Sequence, residues 1–166
     1  MDTVDVETRS RIMANVHGKD TKPEMIVRRL IHGIGYRYTL HDRSLPGSPD
    51  IVFRSRKKAI FVNGCFWHHH HGCRLATVPK TNADYWTEKF RLNAERDRRT
   101  IEELEGLQWK VLVVWECEVL DKEWLKERII NFLVEIWEIR WNTFFSRWFF
   151  NEFHETSIVR NPKMRR

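Results

Sequence analysis

The stretch whose reading decides the fold is Asn63-Gly-Cys-Phe-Trp-His-His-His-His-Gly-Cys73. It combines soft thiolates, four consecutive imidazoles and two large aromatics within one loop, a mixture that packing alone has little reason to produce. Just before it, Ala59 to Val62 is wholly apolar, which predicts a buried strand running into the loop. Upstream, Tyr36 to Leu40 and Ile51 to Phe53 read as two further short strands, with Ser44-Leu-Pro-Gly-Ser-Pro49 as the loop between them. Arg54 to Lys58 then makes a charged turn. Hairpin geometry brings Asp50, at the start of one strand, beside Asn63, at the end of its neighbour.

Helices are predicted on both sides of these strands. Thr21-Lys-Pro-Glu24 has the form of a helix start, with Thr21 as N-cap, Pro23 in the first turn and Glu24 placed to close a capping box. Ile26, Val27, Leu30, Ile31 and Ile34 follow at helical spacing, and Gly33 and Gly35 stop the run. After the loop, Thr81 or Asn82 can cap a long helix reaching about Leu104, apolar at Trp86, Phe90 and Leu104 and charged along Glu95-Arg-Asp-Arg-Arg99. Trp109 to Trp115 predicts another strand, and it delivers Cys117 just past its C-terminal end, where open α/β sheets keep their chemistry. From Asp121 the pattern is helical again, through Leu125, Ile129, Phe132, Leu133, Ile136 and Trp137. An aromatic stripe of core or interface type follows at Trp141, Phe144, Phe145, Trp148 and Phe149, before a basic tail from Arg160 to Arg166.

A chain of 166 residues with 42% hydrophobic content is long enough to bury one real core. Its 29 Lys and Arg against 23 Asp and Glu leave +6, which favours a polyanionic partner. Eight Trp and ten Phe exceed the needs of a core this size, so some are expected at a binding surface. Cys65, Cys73 and Cys117 are odd in number, which does not suit a disulfide framework, and no signal peptide is evident. With no apolar run near the roughly 20 residues that span a bilayer, a soluble cytoplasmic protein without membrane association is expected.

Three thiolates and one imidazole make a closed tetrahedral site of the structural zinc type. The competing reading has the three cysteines as unconnected buried residues. Spacing alone does not decide which histidine of the run would ligate. The second candidate site is weaker in isolation. Pro49-Asp50 at a strand start, followed by a strand ending in polar residues, has the layout of the restriction-like nuclease core, in which a carboxylate binds Mg2+ and the metal activates water.

Beyond these features, the chain resembles the very-short-patch repair (Vsr) endonucleases. The likeness runs through Arg9-Ser-Arg-Ile-Met13, Lys19-Asp-Thr-Lys-Pro-Glu24, Leu45-Pro-Gly-Ser-Pro-Asp50, Gly64-Cys-Phe-Trp-His68, Asn93-Ala-Glu-Arg-Asp-Arg-Arg99 and Val113-Val-Trp-Glu-Cys117. It covers about residues 8 to 120. The resemblance implies a restriction-like fold with structural Zn2+, and a Mg2+-dependent nick beside the thymine of a T:G mismatch left by deamination of 5-methylcytosine. It also implies Asp50 as the Mg2+-binding catalytic aspartate, His68 as the catalytic histidine and Glu24 as an assisting acid, a role that competes with capping. Cys65, His70, Cys73 and Cys117 match the zinc ligands, with His71 a substitute for His70 because Gly72 looks like an extra residue. Phe66, Trp67 and Trp86 match aromatics that wedge into the duplex, although core packing of its helix is the alternative for Trp86. Asn63 departs from the pattern: the family often has a histidine there, and an amide can hydrogen-bond a metal-bound water but cannot act as an acid.

The expectation is therefore an α/β, restriction-endonuclease-like mixed central sheet flanked by helices, with a structural zinc site. Residues 1–20 are read as a DNA-contacting arm, 21–140 as the endonuclease domain and 141–166 as an aromatic and basic extension without an assigned role. Arg9, Arg11, His17 and Lys19 of the arm suit phosphate contacts. The expected partner of a monomeric enzyme is double-stranded DNA carrying a T:G mismatch, with other mismatch-repair proteins as further candidates. The alternatives are a nuclease of the same core with another DNA target, and a zinc-containing module that binds mismatches without cutting.

Overall fold

Thr21 opens the first element as expected: in extended conformation, it accepts the Glu24 N–H on its Oγ1 at 3.4 Å, and helix α1 (Lys22–Gly33) follows with Pro23 in its first turn. The capping box does not close. Glu24 turns its carboxylate toward Arg28 and His41, each 3.2 Å away, and is 2% exposed. The structure, a computed structural model, describes Thr8 and residues 18–134. The N-terminal arm up to His17 (Thr8 apart) and everything from residue 135, including the aromatic stripe, therefore lie outside the described residues.

Four strands form one mixed sheet in the order β1 (Thr39–Leu40), β2 (Ile51–Phe53), β3 (Lys58–Asn63), β4 (Lys110–Trp115). The first two pairings are antiparallel, with Leu40 opposite Ile51 and Ile51 opposite Ile60. The pairing of β3 with β4 is parallel, from Lys58 opposite Lys110 to Asn63 opposite Trp115, because helix α2 (Ala83–Gly106) carries the chain back across the sheet. Side-chain alternation sorts the strands onto two faces. Ile51, Phe53, Ile60 and Val114 pack with Val27 and Ile31 of α1 and with Leu125, Ile129 and Leu133 of helix α3 (Lys122–Leu133). On the other face Val52 joins Leu45 and Leu104, with Phe61, Trp109 and Val111 against them.

Three local expectations change. The first strand shortens to two residues because Tyr36 and Tyr38 leave the ladder and set their rings edge-on against Phe53, each 6.2 Å away. Lys58 belongs to β3 rather than to the charged turn. It is buried, and its Nζ donates to the Leu133 carbonyl at 2.9 Å, a cation at the C-terminal end of α3 where the helix dipole favours one. Asn82 precedes α2, but in a left-handed conformation and without a side-chain cap. Asp121, by contrast, caps α3 by accepting the Trp124 N–H at 3.2 Å.

Helix α2 matters most for the site. Its 24 residues span about 36 Å, well beyond the roughly 20 Å of a six-residue strand. Its C-terminal part lies on the sheet through Leu104, while its N-terminal part extends to the histidine-rich loop, where Phe90 meets Phe66. Among the described residues no helix is long and apolar enough to cross a membrane.

Candidate active site and metal centre

The loop after β3 folds tightly on itself. His68 N–H donates to Gly64 O at 3.1 Å, His70 N–H to Cys65 O at 2.9 Å and Cys73 N–H to His70 O at 3.1 Å. These turns bring Cys65, His70 and Cys73 together with Cys117, which a single 3-10 turn (Glu116–Leu120) presents just beyond β4. One ligand atom from each of the four lies within 4.8 Å of the others, so the group could hold a metal ion. Nδ1 of His70 is 3.6 Å from Cys65 Sγ and 3.3 Å from Cys117 Sγ, close to the edge of about 3.6 Å that a tetrahedral site with ordinary Zn–S and Zn–N bonds requires. The ring of His70 is also stacked on Trp115 at 4.1 Å, whereas His71 is exposed and outside the cluster.

The electrostatics of the cluster fit a cation. Burial pushes the Cys65 thiol up to about 11 and the Cys117 thiol higher still, and the neighbouring sulfurs add to the latter effect. Burial likewise pushes His70 down, toward the neutral imidazole that ligates. Thiols packed this closely are reluctant to ionise on their own, and a divalent ion removes that reluctance by binding the thiolates.

The aromatics of the same loop form a second cluster. Phe66 is edge-on to Trp67 at 5.1 Å, Trp86 at 5.2 Å and Phe90 at 5.4 Å. Trp86 is half-buried against these rings and takes no part in the clusters beneath the sheet, while the adjacent Tyr85 is 61% exposed. Asn93 Nδ2 donates to Trp67 O at 2.9 Å and ties the loop to α2.

Beside the aromatics opens a cleft of about 530 Å3, walled in part by His41, Asp50, Asn63, His68 and Asp97, with Arg43 and Arg96 also at its walls. As the hairpin geometry predicted, Asp50 and Asn63 share it. Asp50 Oδ2 accepts the Val62 N–H at 2.7 Å, which orients the carboxylate across the β2–β3 hairpin. Burial raises the Asp50 pKa; the Val62 N–H offsets this only partly, and repulsion from Glu24 adds to it. An oxygen donor whose charge is this poorly compensated suits a hard cation. Asn63, 8% exposed, closes the end of β3.

His68 is held from behind: its Nδ1 lies 2.5 Å from Asp97 Oδ2 on α2. Burial would raise Asp97, but the hydrogen bonds to His68 and Arg96 outweigh it and hold the carboxyl below its usual range. With the first ring nitrogen taken by a carboxylate, the second is left for chemistry. Glu24 is placed differently from the other expected site residues. It is not part of the cleft wall and stands behind His41.

The sequence did not single out Asp97 or His41 for the site. For Asp97 a signal existed. Phe90, Asn93, Asp97, Ile101 and Leu104 recur at helical spacing, so the aspartate lies on the stripe of α2 that carries its buried residues, although the charges around it read as a solvated run. His41 had no comparable signal, because only the fold of the 42–49 loop sets it beside Asp50.

Known proteins are similar to this chain over most of its length. The family model for DNA mismatch endonuclease Vsr matches residues 1–74. Type II nicking enzyme V.XorIIP of Xanthomonas oryzae pv. oryzae is 48% identical over 132 residues, covering 80% of this chain and 96% of that protein. Type II nicking enzyme V.NmeAIP of Neisseria meningitidis is 43% identical over 128 residues, 77% of this chain and 91% of its own length. The DNA mismatch endonuclease Vsr of Escherichia coli is 43% identical over 136 residues, 82% of this chain and 86% of that protein. With identity at this level across most of each relative's length, the chain belongs to the Vsr family of DNA mismatch endonucleases and is itself a DNA endonuclease.

Proposed function

We propose that the protein nicks one strand of duplex DNA beside the thymine of a T:G mismatch, using Mg2+ at Asp50 and a restriction-like core pinned by Zn2+ at Cys65, His70, Cys73 and Cys117. The observation that carries this reading is the cleft in which a part-buried aspartate faces a histidine already held by a carboxylate, next to an aromatic cluster on the same loop. When bound, Mg2+ supplies charge to the scissile phosphate and lowers the pKa of water.

The chain's own groups do the rest. Asp50, fixed by the Val62 N–H, supplies an oxygen ligand. His68, anchored by Asp97, moves a proton at its Nε2. Asn63, at the end of β3, orients a water through its amide, which accepts or donates a hydrogen bond without changing charge. Phe66, Trp67 and Trp86 select the mispaired step, because that step costs less to unstack than a matched one. Arg43 and Arg96 at the cleft suit the flanking phosphates.

The test uses duplexes that differ only in carrying T:G, T:A or C:G at one position, with Mg2+ or with EDTA. A nick confined to T:G and lost in EDTA is expected. Cutting that ignores the mismatch contradicts the specificity, and mismatch binding without any product contradicts the enzymatic reading.

A further inference from the structure

Glu24 is almost fully buried and yet outside the cleft wall, so beyond the charge repulsion it exerts on Asp50, any contact it makes with the chemistry passes through another group. His41 stands between them. Its Nε2 is 3.2 Å from Glu24 Oε1, and its Nδ1 is 3.7 Å from Asp50 Oδ1. Neither approach is a well-formed hydrogen bond, so Nε2 sits buried beside the Glu24 carboxylate without a full partner. The main chain makes the firmer tie, since the His41 N–H donates to the Asp50 carbonyl at 3.2 Å. This pair closes the neck of the 42–49 loop, one step beyond the Leu40–Ile51 pairing of β1 and β2.

His41 also adopts a left-handed backbone conformation, φ +47°, which is uncommon for a non-glycine residue. On the far side, Arg28 holds Glu24 at 3.2 Å and also contacts Asp20. The guanidinium already lies against both carboxylates of the Asp20, Glu24 and His41 group, so that group is not a second cation site.

We propose that His41 is a positioning residue: anchored by Glu24, its ring fixes the Asp50 carboxylate toward the cleft and thereby sets the affinity of the site for its divalent cation. Glu24 thus acts on the site through His41 rather than as a ligand. The inference rests on the reading that Asp50 binds the metal. It extends that reading from the ligand to the groups behind it, which in metal sites generally change affinity by about 10–100-fold when removed.

The experiment titrates Mn2+, as a spectroscopic substitute for Mg2+, into the full zinc-loaded chain and follows the loss of the free-ion paramagnetic signal. Nicking of a T:G duplex is followed against Mg2+ concentration in parallel. His41→Phe keeps a planar ring but loses both nitrogens, and should weaken Mn2+ binding by about 10–100-fold, with Mg2+ half-saturation rising to match. His41→Gln retains only a nitrogen at the Nε2 position and should resemble it. His41→Asn keeps a nitrogen near Nδ1 and tolerates the left-handed backbone but loses the atom beside Glu24, so it should bind more tightly than His41→Phe and about as well as Glu24→Gln, even if the other variants fold poorly. Glu24→Gln should weaken binding in the same direction, and combining it with His41→Phe should add little. Wild-type affinity in His41→Phe, or His41→Asn no better than His41→Phe, overturns the proposal while leaving Asp50 as ligand. Unchanged Mn2+ binding in Asp50→Ala overturns both.

Discussion

Gly47 offers a direct test of how the loop carrying Asp50 is seated. Its φ is +69°, and a Cβ added there would lie 2.3 Å from Thr100 Cγ2 on α2 and 3.3 Å from Phe61 Cζ. Gly47→Ala therefore incurs two separable costs. Placing an L-residue in the left-handed region costs roughly 1–2 kcal/mol. Carbon atoms in contact need about 3.5–4.0 Å, so the Thr100 side chain or the loop must give way by more than an ångström, an overpacking cost of roughly 1–3 kcal/mol. A central value of about 3 kcal/mol corresponds to a drop in melting temperature of about 6–12 °C for a chain of this size. Thr100→Ser removes the clashing methyl while leaving an Oγ at the 3.3 Å position, so it should relieve the second cost and not the first. Urea denaturation of the two single variants and the double variant measures the coupling, expected at about 1–3 kcal/mol. A Gly47→Ala chain within about 0.5 kcal/mol of wild type, or strictly additive variants, would refute this packing of the loop on α2.

Asp50 predicts an exchange of stability for function. Because burial and Glu24 raise its pKa, the folded chain binds that proton more tightly than the unfolded chain does. Stability from the group is therefore greatest in acid and is lost as pH rises through the window between the ordinary carboxylate value and the folded one. Asp50→Asn in metal-free buffer should be more stable than wild type at neutral pH by on the order of 1 kcal/mol, with the advantage fading in acid; thermal melts across pH check the trend, and an advantage that does not depend on pH would contradict it. Asp97 has the opposite sign: its lowered pKa adds stability above the ordinary carboxylate range that is lost as pH falls through the folded value. Asp97→Asn should also slow single-turnover nicking on the order of 10²-fold through loss of the His68 orientation, with little change in DNA affinity; undiminished nicking would remove Asp97 from the site. Cys117→Ala should yield protein lacking near-stoichiometric zinc by elemental analysis and melting well below wild type, whereas zinc retained at wild-type content would contradict the Cys3His site.

Much of the fold could be read because its signals are local. Thr21 and Pro23 start α1, Gly35 follows its end at positive φ, and the apolar run from Ala59 to Val62 becomes the strand that delivers the loop. The pairing of Asp50 with Asn63 followed from strand ends and a hairpin turn. What escaped depended on tertiary geometry. Glu24 fits a capping box in sequence, but Arg28 and His41 offer its buried carboxylate side-chain partners, and these replace the backbone contact. Lys58 looked like part of a solvated turn until the end of α3 supplied a carbonyl for its ammonium. Asp97 was hidden among neighbouring charges, although its phase on α2 pointed inward, and His41 acquires its position only when the 42–49 loop closes.

The most direct test of the cleft as the seat of strand-specific mismatch chemistry is single-turnover nicking of a T:G duplex labelled separately on each strand, comparing wild type with Asp50→Ala in Mg2+. One product is expected, cut beside the mismatched thymine on the thymine strand, and it should be lost in Asp50→Ala while binding to the duplex persists. Cleavage by Asp50→Ala at the wild-type rate, or equal cutting of both strands by the wild-type protein, would contradict this expectation.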